Sequence, residues 1–249
     1  MNLSAAQWHD RYLQQAKWTA ALREYIFKQI GFNGAGSVLE VGCGTSAVLS
    51  TLPGNPTTTG LDIQYSTLEF SNGQKNKDTT YINADASCLP LADGMFDITY
   101  CHYLLLWLKT PLDTLREMKR VTRLGGTVIA FAEPDHAGRI DYPPELADLG
   151  KLQSRALEEQ GVNLMAGRQL ARLFAEAGLT DIVSGVSGFQ RQAVSLPDWF
   201  DSEWQMLEHD LAGKVSAAEL AHFRSIDEHA WTDGSRVLWV PTFYAFGKV

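Results

Sequence analysis

The stretch Val38-Leu39-Glu40-Val41-Gly42-Cys43-Gly44-Thr45-Ser46 decides the fold, because an apolar run carries one acid and ends in two glycines a single residue apart. It reads as a strand feeding a tight ligand-binding turn. Glycine at 42 and 44 lets the backbone bend sharply and come close to a ligand where a Cβ would collide, and Ala47-Val48-Leu49 opens a helix expected over 47–52. Glu40 then lies at the strand's end, beside the expected pocket.

Outward from that turn, the segments 38–41, 58–63, 80–84, 96–100 and 127–132 are short and rich in β-branched or aromatic residues, as strands are. Helices are expected between them over 47–52, 67–76 and 112–121, the last closed by Leu124-Gly125-Gly126. Such alternation predicts a parallel sheet covered on both faces. Further helices over 144–160 and 168–177 precede a strand over 180–186. A Trp-containing, helix-compatible insertion over 196–233 then leads to a last apolar run, 236–246, expected to join the sheet antiparallel. Upstream, Trp8, Tyr12, Ala16, Trp18, Leu22 and Ile26 recur at helical spacing until Gly31.

The fold class is therefore α/β: a Rossmann-like, doubly wound, seven-stranded sheet, mostly parallel with an antiparallel C-terminal strand, plus N-terminal helices and a helical insertion before the last strand. One domain is expected over 1–249, comprising an N-terminal helical segment (1–35), a cofactor-binding core (36–190), the insertion (191–235) and the terminal strand (236–249). With 249 residues, 45% of them hydrophobic, the chain is large enough for one sizeable core.

A formal charge of −8 with no Lys/Arg cluster argues against nucleic acid as a partner. Cys43, Cys88 and Cys101 are too few and too scattered for a disulfide framework or a zinc ribbon, so no metal site is expected and a reducing compartment fits. Residues 1–30 hold no apolar core of a secretory signal, and the longest apolar stretch, 98–108, is too short to cross a membrane. The expectation is a cytoplasmic protein without membrane insertion. Nothing in the sequence speaks to its oligomeric state.

The glycine turn alone fits two ligands, since Gly42, Gly44 and Ala47 also satisfy the looser dinucleotide pattern. About 20 residues further on, Asp62 ends the second expected strand, where a carboxylate accepts ribose hydroxyls. The third strand ends in Asn83-Ala84-Asp85-Ala86, followed by Leu89-Pro90-Leu91 and then Phe96-Asp97. This ordered set, spread over 36–183, resembles the class I S-adenosylmethionine-dependent methyltransferases. It is most similar to their small-molecule group, which includes the ubiquinone/menaquinone-biosynthesis (type 11) enzymes.

The resemblance implies S-adenosylmethionine as cofactor and an unidentified small-molecule acceptor. It implies Glu40 and the turn Gly42-Cys43-Gly44 at the methionine part, Asp62 on the ribose, Ile63 flanking the adenine, and Asp85 with Ala86 at the adenine edge. Tyr100 and Cys101 are expected to contribute main chain or packing, and Asp97 a structural contact. From the N-terminal helix, Arg11 would pair with the methionine carboxylate and Trp18 would wall the pocket. Ser46 departs from the family, many of whose members carry glycine there.

For the acceptor side, His102 titrates near neutrality and suits a general base, or else a structural histidine in an apolar stretch. Glu133, His136 and Tyr142 follow the fifth strand, whose carboxyl end borders the ligand crevice of an open α/β sheet. Asp135 and His136 read either as a base with its orienting partner or as a solvated loop. Trp199, Phe200, Trp204, Phe223 and Trp231 form either a lid or a helical core. Methyl transfer is the favoured function. An NAD-dependent oxidoreductase and a non-catalytic S-adenosylmethionine-binding protein are the alternatives.

Overall fold

Val38, Leu39 and Val41 have no exposed surface, because β1 (Ser37–Val41) runs through the middle of a sheet covered on both faces. The computed structural model describes residues 4–74, 79–188 and 196–249. The end of the helix expected over 67–76 and the start of the segment 191–235 lie outside the described residues. β2 (Thr57–Asp62) and β4 (Phe96–Cys101) flank β1, both parallel to it. β3 (Thr79–Asn83), β5 (Thr122–Pro134), β7 (Thr180–Ser187) and β9 (Thr242–Lys248) complete seven strands in the order β3-β2-β1-β4-β5-β9-β7. Only β9 runs against its neighbours, wedged antiparallel between β5 and β7. The order reverses between β1 and β4, and the carboxyl ends of strands at such a switch point form the ligand crevice of open α/β sheets.

Alternation along β1 divides the core. Leu39 and Val41 pack with Cys101, Val128 and residues of α4 (Pro111–Val121) and α6 (Ala166–Glu176), including Leu115, Met118, Leu170 and Phe174. Val38 faces the other way, with Ile98, Tyr100 and Phe131, under Ala16 of α1 (Ala5–Trp18) and Ile26 and Phe27 of α2 (Ala20–Gln29). α3 (Tyr65–Gly73) follows β2.

Four boundaries differ from the sequence expectation. The helical stretch 5–30 breaks at Thr19, whose hydroxyl bonds back to the Gln15 and Ala16 carbonyls while the Arg23 guanidinium donates to Ala16 O at 2.7 Å. The helix expected over 47–52 shrinks to one 3-10 turn, Leu49–Thr51, because Pro53 forces Leu52 into an extended conformation. Leu124-Gly125-Gly126 does not close α4. That helix ends at Val121, β5 starts at once, and the glycines sit where its register on β4 slips. The run 236–246 is split at Pro241 into β8 (Val237–Trp239) and β9, and β8 pairs antiparallel with β6 (Ile140–Tyr142) in a separate two-stranded sheet.

The cap over the carboxyl ends has its own core. Phe200, Trp204 and Leu207 of α7 (Phe200–Asp210) and Phe223 and Trp231 of α8 (Ala217–Thr232) pack on Leu146, Leu149 and Ala156 of α5 (Pro144–Glu159). Four of the five insertion aromatics are therefore core, and Trp199 meets the Trp18 ring edge-on at 5.8 Å. No helix among the described residues is long and apolar enough to cross a membrane.

Candidate active site

Gly42 and Gly44 hold left-handed conformations, with φ of +73° and +50°. A Cβ on Gly42 would lie 2.6 Å from the Leu104 side chain, and one on Gly44 would lie 3.0 Å from the Tyr12 ring. Both the backbone and the space require glycine there. The turn is tied to β2: the amides of Gly42 and Cys43 donate to Leu61 O, and the Gly44 amide donates to Asp62 Oδ2 at 2.8 Å. Asp62 Oδ1 accepts the Gln64 amide, so each carboxylate oxygen holds a loop amide and keeps a second lone pair for a ligand. Beyond it Ile63 is 67% exposed, as a residue flanking a flat ring would be.

Ser46 adopts φ +62°, the left-handed conformation that glycine takes without strain. Its buried Oγ faces the Cys43 thiol and the Tyr81 hydroxyl. Replacing it (S46G) is expected to relieve about 1 kcal/mol of strain. The melting temperature should then rise by about 2–4 °C, and an unchanged or lower value by calorimetry would show that the serine is unstrained.

Glu40 is the buried acid of the site. Its register partner on β4 is Tyr100, whose hydroxyl donates to Glu40 Oε2 at 3.0 Å. Burial pushes the Glu40 carboxyl up to about 8, against the opposing effects of that hydrogen bond and the nearby Arg23 guanidinium. Tyr100 and Cys101 are fully buried on opposite faces of β4, so only their main chain is free to meet a ligand. At the end of β3, Asp85 Oδ1 accepts the amide and hydroxyl of Ser87, which lower its pKa and leave Oδ2 open. Asp97 clamps the start of β1 through the Ser37 amide and pairs with Arg123, holding its carboxyl at about 2.

Several candidates are engaged elsewhere. Arg11 lies over the Trp18 ring and pairs with Glu203 of α7 at 2.5 Å, so its charge is already met and not waiting for a carboxylate. Trp18 packs between that guanidinium and Trp199. His102 Nε2 bonds Thr19 Oγ1 at 2.9 Å, and burial followed by Arg23 pulls its pKa down to about 3. The imidazole is neutral but weakly basic, and it ties β4 to the α1–α2 junction. The Glu133 carboxylate accepts the amides of Leu104, Leu105 and Leu106 at 3.0 to 3.1 Å and caps that turn from within. Asp135 is neither a partner of His136 nor solvated. It is fully buried and bidentate with Arg168. His136 is largely buried, its Nδ1 has no partner among the described residues, and its pKa is lowered to about 4. Tyr142 lies half-exposed on β6, and no contact among the described residues joins it to the others.

Three residues near the turn escaped the sequence reading. Tyr12 covers Gly44, with its hydroxyl pushed to about 12 by burial and then by Asp62. His9 bonds Thr45 Oγ1 at 2.8 Å. Tyr103, next to His102, holds φ +53°. The α1 periodicity marks Tyr12 as inward-facing, but only the fold says toward what.

A sheet of this order, with a glycine turn at the switch point and carboxylates on β1 and at the ends of β2 and β3, is a Rossmann-like arrangement shared with solved methyltransferase structures. Residues 39–130 match the family described as Methyltransferase domain. A malonyl-[acyl-carrier protein] O-methyltransferase of Marinomonas sp. is 31% identical over 130 residues, which are 50% of this chain and 47% of that one. A demethylmenaquinone methyltransferase of Bacillus velezensis is 26% identical over 193 residues, 69% of this chain and 81% of that one. Geranyl diphosphate C-methyltransferase from Streptomyces coelicolor A3(2) shares the fold with a TM-score of 0.54 at 17% identity, over 92% of this chain and 79% of that one. The match thus spans about half the length of the malonyl relative.

S-Adenosylmethionine is the cofactor, and the site fits it: a glycine cradle and a buried acid converge at the turn. The dinucleotide reading gives way to it.

Proposed function

We propose that this chain transfers the methyl group of S-adenosylmethionine to a small organic acceptor. The observation that supports it most is the pair of acids, Glu40 and Asp62, on either side of the glycine turn. Glu40 meets the ammonium of the methionine part, Asp62 the ribose hydroxyls, Ile63 one adenine face, and Asp85 with the Ala86 amide the adenine edge. When bound, the cofactor supplies an activated methyl group on a sulfonium. The chain's own work is to align the acceptor and keep out water. α1 does the second, since Tyr12 and His9 lie on the turn and Arg11, Gln14 and Trp18 latch onto the insertion. His102 positions α1 through Thr19 and takes no proton. The chain works as one domain, in the cytoplasm, with the insertion as a cover on the acceptor side.

Titration of the purified protein with S-adenosylhomocysteine and with NAD is the first test, and only the former should bind. Release of labelled methyl groups into a metabolite mixture is the second. Binding without transfer to any fraction of the mixture would leave a sensor of the cofactor in place of an enzyme.

A further inference from the structure

Four successive amides of the segment after β4 are taken by the end of β5. The Tyr103 amide donates to Ala132 O at 3.0 Å, those of Leu104 and Leu105 to Glu133 Oε1 at 3.0 Å each, and that of Leu106 to Glu133 Oε2 at 3.1 Å. Glu133 has no exposed surface, and burial raises its carboxyl to about 7 against the pull of the three amides, with no cation taking part. A buried charge without a counterion costs stability that a neutral side chain would not. What it imposes in return is a particular backbone shape, and that shape is strained. Tyr103 holds φ +53°, a left-handed conformation that persists only where the surroundings over-determine it.

Leu104 carries this shape to the glycine turn. Its Cδ1 and Cδ2 lie 2.6 and 3.0 Å from where a Cβ on Gly42 would stand, so the leucine fills the space over that backbone. Gly42 is two residues from Glu40 and two from Gly44, whose amide holds Asp62 at 2.8 Å. Packing this close transmits displacement, so a shift of Leu104 reaches the backbone between the two acids of the cofactor site. We propose, resting on the methyl-transfer reading, that Glu133 is a positioning residue for the cofactor turn: its carboxylate sets residues 103–106 so that Leu104 holds Gly42 in the shape that accepts the ligand. Glu133 acts through Leu104, across the loop that joins β4 to α4.

Calorimetric titration with S-adenosylhomocysteine at pH 8, where the Glu133 carboxyl is mostly ionised, tests this in a set of variants. E133Q keeps an oxygen for two of the amides and turns an N–H toward the third, and L104A removes the side chain over Gly42. Each should weaken binding about tenfold, the size of effect that an unmatched buried donor or a new cavity produces. L104M conserves the volume and should stay within about threefold of the parent. The double variant E133Q/L104A separates positioning from a general structural role. If Glu133 acts through Leu104, the double variant also loses only about tenfold, whereas independent contributions multiply to about a hundredfold. Hydrogen exchange of the parent needs no variant to fold: saturating S-adenosylhomocysteine should slow the amides of residues 103–106 by about fivefold or more. Multiplied losses in the double variant, full affinity in E133Q or L104A, L104M as weak as L104A, or exchange that the ligand leaves unchanged overturns the proposal. Failure of the parent protein to bind S-adenosylhomocysteine would defeat the methyl-transfer reading itself, whereas binding with multiplied losses defeats this proposal alone.

Discussion

Replacing Glu40 by glutamine is expected to cost about a hundredfold in S-adenosylhomocysteine affinity at pH 8 while making the free protein more stable. The two effects have one origin. The fold places this carboxyl in the sheet core with a tyrosine hydroxyl 3.0 Å away, and burial raises its pKa from 4.5 to about 8. A carboxyl whose folded pKa is raised favours folding below the unfolded value. That contribution is lost as the pH rises from 4.5 toward 8, because the unfolded chain ionises first. Glutamine still accepts from Tyr100 and does not ionise. The melting temperature of E40Q should therefore match the parent near pH 4.5 and exceed it by several degrees above pH 8.

Binding has the opposite sign. A cationic ammonium needs the ionised carboxylate, so cofactor binding must expel a proton from Glu40 below pH 8. Affinity for S-adenosylhomocysteine should rise close to tenfold per pH unit from about pH 6 to 8, with nearly one proton released per ligand. Truncating one partner of a buried charged pair costs about 2–5 kcal/mol, which brackets the hundredfold loss. Calorimetry in buffers of different ionisation enthalpy counts the proton directly. Full affinity in E40Q, or a pH-independent constant in the parent, would remove Glu40 from the ammonium site.

The sheet is local in the sequence, which is why it was legible there. β1 to β4 are short runs rich in Val, Ile, Thr and Tyr, and Glu40, Asp62 and Asp85 stand on or just past three of them. What the sequence hid is long-range pairing of side chains. Glu133 follows an apolar strand as a substrate-facing acid would, yet three amides of the loop after β4 consume it. Arg11 looks free until α7 brings Glu203 to it. The three-residue strands β6 and β8 are too short to show a period of two, and only their pairing across the cap makes them strands. Ser46 was visible as a departure from the family, and its left-handed backbone gives that departure its physical cost.

The same cap carries the second large effect. Arg236, its side chain only 2% exposed, donates to Asp227 at 2.6 Å and to Asp141 at 2.9 Å, and also bonds the carbonyls of Tyr142 and Val237. Asp141 in turn holds Arg139, which reaches Gln153 of α5, while Trp204 of α7 donates its indole N–H to Asp227. Two arginines and two aspartates thus balance in the dark between α5, α7, α8 and the small sheet. Removing one member leaves the others buried and unmatched, and a broken buried pair costs about 3–5 kcal/mol. R236A should lower the melting temperature by about 10 °C or more, with cap tryptophan fluorescence changing before the sheet unfolds, since the cap has a core separate from those of the sheet. The double variant R236M/D227L removes charge in matched pairs and should recover part of the loss, because a desolvated ion pair contributes less than its disruption costs. Equal or greater damage in the double variant would mean that these charges stabilise the cap by their attraction and not merely by matching each other.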